Sequence, residues 1–317
     1  MNRRLAVALL IFANILWGSS YVVAKVALRE IPPPLLGALR VTLAALLLGL
    51  PLLWQVWRGG AAALALPGQQ ARRGDMARLA ALGLLGVGAS YLIDYWGISL
   101  STATDASLMI IGEVIFTALL AAWLAAERLG RRKLLGIGFG AAGVATLVLG
   151  NAQAGADGGS GWLHALGNLL ILLALLCESF YTVLGARLAR RYTPLAVLAL
   201  ANGGSLVIWL PILGWYVESG SFPALSWAAI LGVAYLAAVT SALCYVIWFG
   251  VLRHAGASVG AISLFVQPLV GSLLGLFLLG DPLTLGLAIG AALIFTALYL
   301  TSVPEREHTP LAEPTVG

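Results

Sequence analysis

The sequence predicts an all-α integral membrane protein of ten transmembrane helices arranged as two inverted five-helix repeats. Three observations carry this prediction. The 317 residues are 61% hydrophobic and 10% charged. Ten apolar stretches are long enough to span a bilayer, and part of the second half can be laid over the first at a fixed offset.

An average soluble chain is roughly 45–50% apolar and about 25% charged, so no water-facing surface can be assembled from this composition. Lipid is the solvent that fits it. The net charge of +5 does not mark a nucleic-acid binder, because the bases fall in particular connectors instead of a stripe interleaved with aromatics. Cys177 and Cys244 each lie inside an apolar run and provide neither a disulfide framework nor a metal knuckle. Arg3 and Arg4 precede an apolar run as in a secretory signal, but that run continues from Leu5 to Leu28. It is too long for a signal core and is expected to stay as the first helix.

The expected spans are 5–28, 34–57, 77–99, 103–124, 134–150, 163–189, 195–217, 227–249, 258–279 and 283–302, each bounded by Pro, Gly or charged residues. Backbone groups in hydrocarbon need partners within the chain, and such continuous apolar runs are not the alternating strands of a barrel. With the N-terminus inside, the inner connectors and termini hold 15 of the bases, and only Arg29 falls outside. By the positive-inside rule both termini are cytoplasmic. Arginine far outnumbers lysine, and Ala, Leu and Gly dominate. That bias is typical of GC-rich bacteria, so the expected location is a bacterial inner (cytoplasmic) membrane.

The Gly-rich segment Asn151 to Gly161 divides the chain. The expected units are 1–150 and 163–302, each of five helices, joined by a linker at 151–162 and followed by a disordered cytoplasmic tail at 303–317. A shift of 154 residues lays Glu113–Gly136 over Gln267–Gly290, with Trp123 on Phe277, Glu127 on Asp281 and Tyr91 on Tyr245. An odd number of helices per copy makes the second copy enter from the other side. Inverted repeats of this kind are typical of secondary transporters, which hold substrate near the midplane between the halves.

Several segments resemble the drug/metabolite transporter superfamily, specifically ten-helix exporters with two EamA-type domains. They are Trp17-Gly18-Ser19-Ser20 with Lys25 beyond, Pro34 to Leu50 with Arg40, Thr117 to Val144, and Gln267 to Thr284. The resemblance runs from about Leu5 to Ser302. Val114 stands where that family usually has a proline, while Pro268 keeps the counterpart. The resemblance implies export of a small metabolite, such as an amino acid or similar amphiphilic compound, through a central cavity between the halves.

Ionisable side chains in hydrocarbon are costly and are functional candidates by default. Asp94, with Tyr91 on its face, suits an ammonium group or a proton. Glu113, near the middle of its helix, suits proton exchange, and the competing reading is a permanent pair with Arg40 or Lys25. Glu178 shares a face with Tyr181 and Thr182. Trp17, Tyr21, Tyr91, Tyr181, Tyr245 and Trp248 are candidate cavity walls, with Asn14 one turn before Trp17. The expected substrate-binding set is thus Asn14, Trp17, Tyr21, Tyr91, Asp94, Glu113, Glu178, Tyr181, Tyr245 and Trp248. Lys25 is expected to snorkel to the interface and Arg40 to serve the scaffold. Asp105, three residues after Thr102, reads as part of a helix cap, and Glu127 and Asp281 as helix-end residues, Asp281 as an N-cap before Pro282.

Trp54, Trp57, Trp162, Trp215 and Trp227 fit an interfacial belt. Paired GxxxG spacings, Gly136/Gly140 and Gly286/Gly290, fit packing within the bundle or a dimer seam, which leaves monomer and homodimer both open. No phosphate-binding loop, zinc motif or nucleophile elbow occurs, so no catalytic residue, metal or cofactor is expected, and the chain is not expected to be an enzyme. The energy for transport is expected from a gradient, with protons as a candidate coupling ion. A facilitative uniporter or exchanger is the alternative, and a lipid-acting membrane enzyme a more distant one.

Overall fold

Every span that lipid surrounds must satisfy its own amides, and a helix does so locally. The computed structural model describes residues 3–125, 130–154, 161–255 and 263–302. Among these residues no strand forms, and β pairing is limited to one isolated bridge between Ala65 and Tyr192. The expected linker lies in part, and Glu127, Arg128 and the tail at 303–317 wholly, outside the described residues.

The first half contains α1 (Arg3–Ala27), α2 (Pro33–Gly59), α3 (Arg73–Leu100), α4 (Ala103–Leu108 continuing as Ile111–Ala125) and α5 (Arg131–Ala154). The second contains α6 (Gly161–Ala189), α7 (Pro194–Glu218), α8 (Trp227–Ala234, Tyr235–Leu243 and Cys244–Ala255), α9 (Val266–Leu279) and α10 (Leu285–Ser302). Eight are long and apolar enough to cross a bilayer; the described parts of α9 and α10 are shorter apolar helices. Prolines open α2 and α7 at their first turns, where a missing N–H costs no helical bond, and Thr193 and Ser226 cap α7 and α8 through their hydroxyls.

The two halves share more than composition. The middle of α3 widens into π-helical turns over Leu84–Ala89 and α-helix resumes at Ser90. In α8 the widening covers Tyr235–Leu243 and α-helix resumes at Cys244, 154 residues after Ser90. The break in α4 at 109–110 has a counterpart in a turn at 264–265, just before α9 and within one residue of the same offset. Helix contacts obey the same exchange. Replacing each helix by the one five further along carries the α3–α6 contact onto α8–α1 and α4–α6 onto α9–α1, and carries α2–α7 and α5–α10 onto themselves. With five spans per copy, this exchange is the inverted repeat. Small residues allow the closest crossings: a Cβ at Gly83 would lie 2.1 Å from the Ala201 carbonyl oxygen, and one at Gly204 only 2.2 Å from that of Ala80, so α3 and α7 touch backbone to backbone. Gly136 of α5 and Gly290 of α10 face the α5–α10 seam inside the bundle, and Gly140 faces Ile111 and Ile115 of α4 with Ala297 of α10 beyond.

Large apolar side chains cover the outside, among them Trp57, Trp123, Trp227 and Phe277. In water such a surface would be a wide apolar patch; in lipid it is the proper exterior. Trp54, Trp57, Trp162, Trp215 and Trp227 are all exposed near helix ends, and Arg58 sits 4.0 Å above the Trp54 ring. At the end of the bundle that holds the α2–α3 and α6–α7 connections, the halves are clasped by a polar group the sequence did not single out. Asp75, 6% exposed, accepts from Arg191 Nη1 at 2.8 Å and from the Tyr192 hydroxyl at 3.1 Å.

Candidate functional site: a central cavity between the halves

A cavity of about 720 Å³ runs along the middle of the bundle, lined from Ala24 and Ile98 near one end to Lys133 and Thr301 near the other. The volume is in the usual range for a small-molecule site. Both halves build it. The first contributes Trp17 and Tyr21 from α1, Arg40 from α2, Tyr91 and Asp94 from α3, and Glu113 and Thr117 from α4. The second contributes Glu178 and Tyr181 from α6, Tyr245 and Trp248 from α8, and Gln267 from α9.

The widened turns explain how α3 and α8 present polar groups here, because a π-helical turn displaces carbonyls from the regular ladder. In α8 the Leu236 carbonyl accepts from the hydroxyls of Thr240 at 2.6 Å and Ser241 at 3.0 Å, and the Thr240 carbonyl accepts from Trp17 Nε1 at 3.0 Å. In α3 the Gly86 carbonyl accepts from the Ser90 hydroxyl at 2.7 Å. Trp17 is thereby held edge-on to Tyr245 and Trp248, with centroids 5.1 and 5.5 Å away.

Arg40 is buried in the wall. Its Nε donates to Ser241 Oγ at 2.9 Å, Nη1 to the Tyr95 hydroxyl at 2.7 Å, and Nη2 to Thr240 Oγ1 at 3.2 Å and the Tyr91 hydroxyl at 3.3 Å. The guanidinium carbon lies 4.3 Å over the Tyr91 ring. Tyr95, fully buried in α3, was not singled out in the sequence, and its place one turn beyond Tyr91 was the available signal. Among the described residues Arg40 forms no ion pair, so the expected alternative of a permanent Glu113–Arg40 pair is absent. Neither does Glu113 pair with Lys25. The side chains of Asp94 and Glu113 have no hydrogen-bond partner among the described residues, and Glu178 accepts from the Tyr245 hydroxyl at 3.3 Å. Thr117 Oγ1, also on the lining, is another buried polar atom without a partner.

Nine of the ten expected site residues therefore line one cavity. Asn14 does not. It is fully buried, donates to the Leu10 carbonyl at 2.8 Å and Ser263 Oγ at 3.0 Å, and accepts from Gln267 Nε2 at 2.8 Å, so its amide joins α1 to α9. Its helical register beside Trp17 was a sound guide to proximity but not to the direction in which the side chain points.

Two further expectations need correction. Lys25 does not snorkel: it bends inward and donates to the carbonyls of Ile98 at 2.8 Å, Ser99 at 3.0 Å and Ser101, completing the C-terminus of α3 where a cation is favoured. Asp281 does not cap its own helix. It accepts from the Thr104 amide at 2.9 Å and hydroxyl at 2.7 Å, capping α4, and Thr284 takes the cap of α10 by accepting from Leu287 N–H at 3.1 Å. Asp105 does follow a cap, since Thr102 Oγ1 accepts its N–H at 3.0 Å, and its carboxylate in addition meets His164 at 2.9 Å and Asn168 at 3.0 Å. His164 and Asn168 were missed because their partner lies 59 or more residues away.

Comparison with known proteins accounts for this architecture. A model of the EamA-like transporter family matches residues 4–149 and again 165–303. The chain belongs to the EamA-like transporter family. The duplicated match corresponds to the two sets of five helices. This EamA-family chain is 29% identical to a probable amino-acid metabolite efflux pump of Salmonella typhimurium, over 90% of its own length and 91% of the relative's. It is 28% identical to a probable terminal-alkyne amino-acid exporter of Streptantibioticus cattleyicolor, again over 90% and 91%. An uncharacterized transporter of Archaeoglobus fulgidus is 27% identical over 94% of this chain and 98% of that one. One crystal structure shares the fold with a TM-score of 0.59 at 22% identity, covering 94% of this chain and 96% of the other. The protein is a multi-pass membrane transporter of a small molecule, not an enzyme.

Proposed function

We propose that this EamA-family protein is a secondary active transporter that exports a small metabolite, an amino acid or similar amphiphilic compound, by alternating access. One observation carries the reading: acids from α3, α4 and α6 and aromatics from α1 and α8 converge on a single cavity bounded by both halves. The units 1–150 and 163–302 are the bodies that rock about it. Asp94, Glu113 and Glu178 bind the amine of the substrate and, between substrates, protons. Trp17, Tyr21, Tyr91, Tyr181, Tyr245 and Trp248 surround its apolar body. Relatives named a probable amino-acid metabolite efflux pump and a probable terminal-alkyne amino-acid exporter support the substrate range. The surplus of bases in one set of connectors supports cytoplasmic termini in a bacterial inner membrane.

The test is counterflow and uphill efflux in proteoliposomes, with and without a pH gradient. Expected are saturable flux of an amino acid or related amine, acceleration by an inward proton gradient, and loss of that acceleration in Glu113→Gln. Flux that never runs uphill under any gradient would reduce the protein to a facilitative exchanger. Unchanged transport and pH dependence with Asp94, Glu113 and Glu178 all neutralised would remove the site assignment.

A further inference from the structure

Resting on the reading of the cavity as the transport site, we infer that the cargo carries a net positive charge. Within the proposed range this narrows the preferred compound to an organic ammonium with an apolar body, such as an amino-acid derivative without a free carboxylate, in preference to a zwitterion or an anion.

The inference comes from which charges face the cavity and which are already engaged. Asp94, Glu113 and Glu178 reach it from three different helices, and none has a cation within ion-pair distance among the described residues. A zwitterion needs a second, positive site for its carboxylate, and among the described residues the two cations within the helices, Arg40 and Lys25, are committed elsewhere while the third stands at the end of the lining. Arg40 has four of its five N–H directions on hydroxyls of Tyr91, Tyr95, Thr240 and Ser241, with its face on the Tyr91 ring. Lys25 points away, into the carbonyls that end α3. Lys133 is exposed at the first turn of α5, at one extremity of the lining. With its acids ionised, the middle of the cavity holds three negative groups against Arg40, and the other described cation on the lining, Lys133, stands at its extremity.

The walls favour an organic cation over a bare ion. Among the described residues no three acid, histidine or cysteine side chains come together as a multidentate cation cage would require. Trp17 stands edge-on to Tyr245 and Trp248, leaving aromatic surface for an alkylammonium, which is attracted to the negative face of a ring.

The test holds the body of the ligand constant and changes its charge. Leucinamide is +1, leucine is zwitterionic and N-acetyl-leucine is −1 at neutral pH. Binding of each to the purified full-length protein in detergent is measured by calorimetry and by tryptophan fluorescence, and flux of each is followed in proteoliposomes. Leucinamide is expected to bind at least about tenfold more tightly than leucine, with N-acetyl-leucine weakest, as charge-assisted contacts require. Asp94→Asn, Glu113→Gln and Glu178→Gln should each narrow the leucinamide–leucine gap, and the wild-type comparison stands even if a variant fails to fold. Leucine binding as tightly as leucinamide, or no leucinamide binding at millimolar concentration, overturns the charge assignment. If leucine is then still transported, the transporter reading survives; absence of flux for every probe counts against that reading separately.

Discussion

Arg40 of α2 and Ser241 of α8 are 201 residues apart in sequence and 2.9 Å apart in the fold. The guanidinium ties the first half to the widened turns of the second, and four hydroxyls surround it. Arg40→Leu leaves these hydroxyls facing an apolar chain, and a loss of about 1–3 kcal/mol is expected, read as a lower unfolding temperature in detergent. Arg40→Lys should recover only part of it, because one ammonium does not reproduce a planar fork.

Gly204 and Gly203 are neighbours with opposite surroundings. A Cβ at Gly204 would press on the Ala80 carbonyl, whereas one at Gly203 meets nothing within 4 Å. Gly204→Ala is expected to destabilise by about 1–3 kcal/mol through overpacking. Gly203→Ala should instead stabilise by roughly 0.5–1 kcal/mol, the ordinary helix preference. Thermal unfolding of the two variants side by side checks the α3–α7 crossing, and equal effects would show that the backbones do not touch there.

Asp75 joins the halves through Arg191 and Tyr192. Asp75→Asn keeps the shape and removes the charge, and about 1.5–3 kcal/mol of stability should go with it. Tyr192→Phe removes one neutral donor and should cost less, about 0.5–1.5 kcal/mol. A double-mutant cycle between Asp75 and Arg191 measures the pair directly; a zero coupling energy would place the clasp elsewhere.

Glu30, in the α1–α2 turn, accepts from the Ser226 amide at 2.9 Å and the Ser226 hydroxyl at 2.8 Å. The amide and hydroxyl of Ser226, in that order, hold its carboxyl below the ordinary value of 4.5. Because the folded value is the lower one, this clasp is complete above about pH 4.5 and is lost as the pH falls through the folded value. Wild type should therefore lose stability on acidification into that range more than Glu30→Gln does, as followed by unfolding temperature against pH. Parallel curves would show that the clasp contributes nothing.

Much of the architecture was legible because lipid imposes one rule on every span. Length, hydropathy and the 154-residue offset mark ten helices in two copies, and the paired widened turns before Ser90 and Cys244 repeat that same offset in three dimensions. The cavity was legible to the extent that helical faces are: Tyr91 with Asp94 and Glu178 with Tyr181 sit on shared faces and do line it. What failed were contacts between segments distant in sequence. Asn14, Lys25 and Asp281 each had a plausible local role, and each found its partners on another helix.

The sequence by itself determined that the chain is a duplicated bundle of membrane helices and which few charges lie within it, since hydrophobic length and the cost of burying charge act locally along the chain. Only the tertiary structure decided which of those charges are neutralised by neighbours and which are left facing the cavity. A side chain three residues along a helix has a known direction, but what it meets there depends on how the two halves cross.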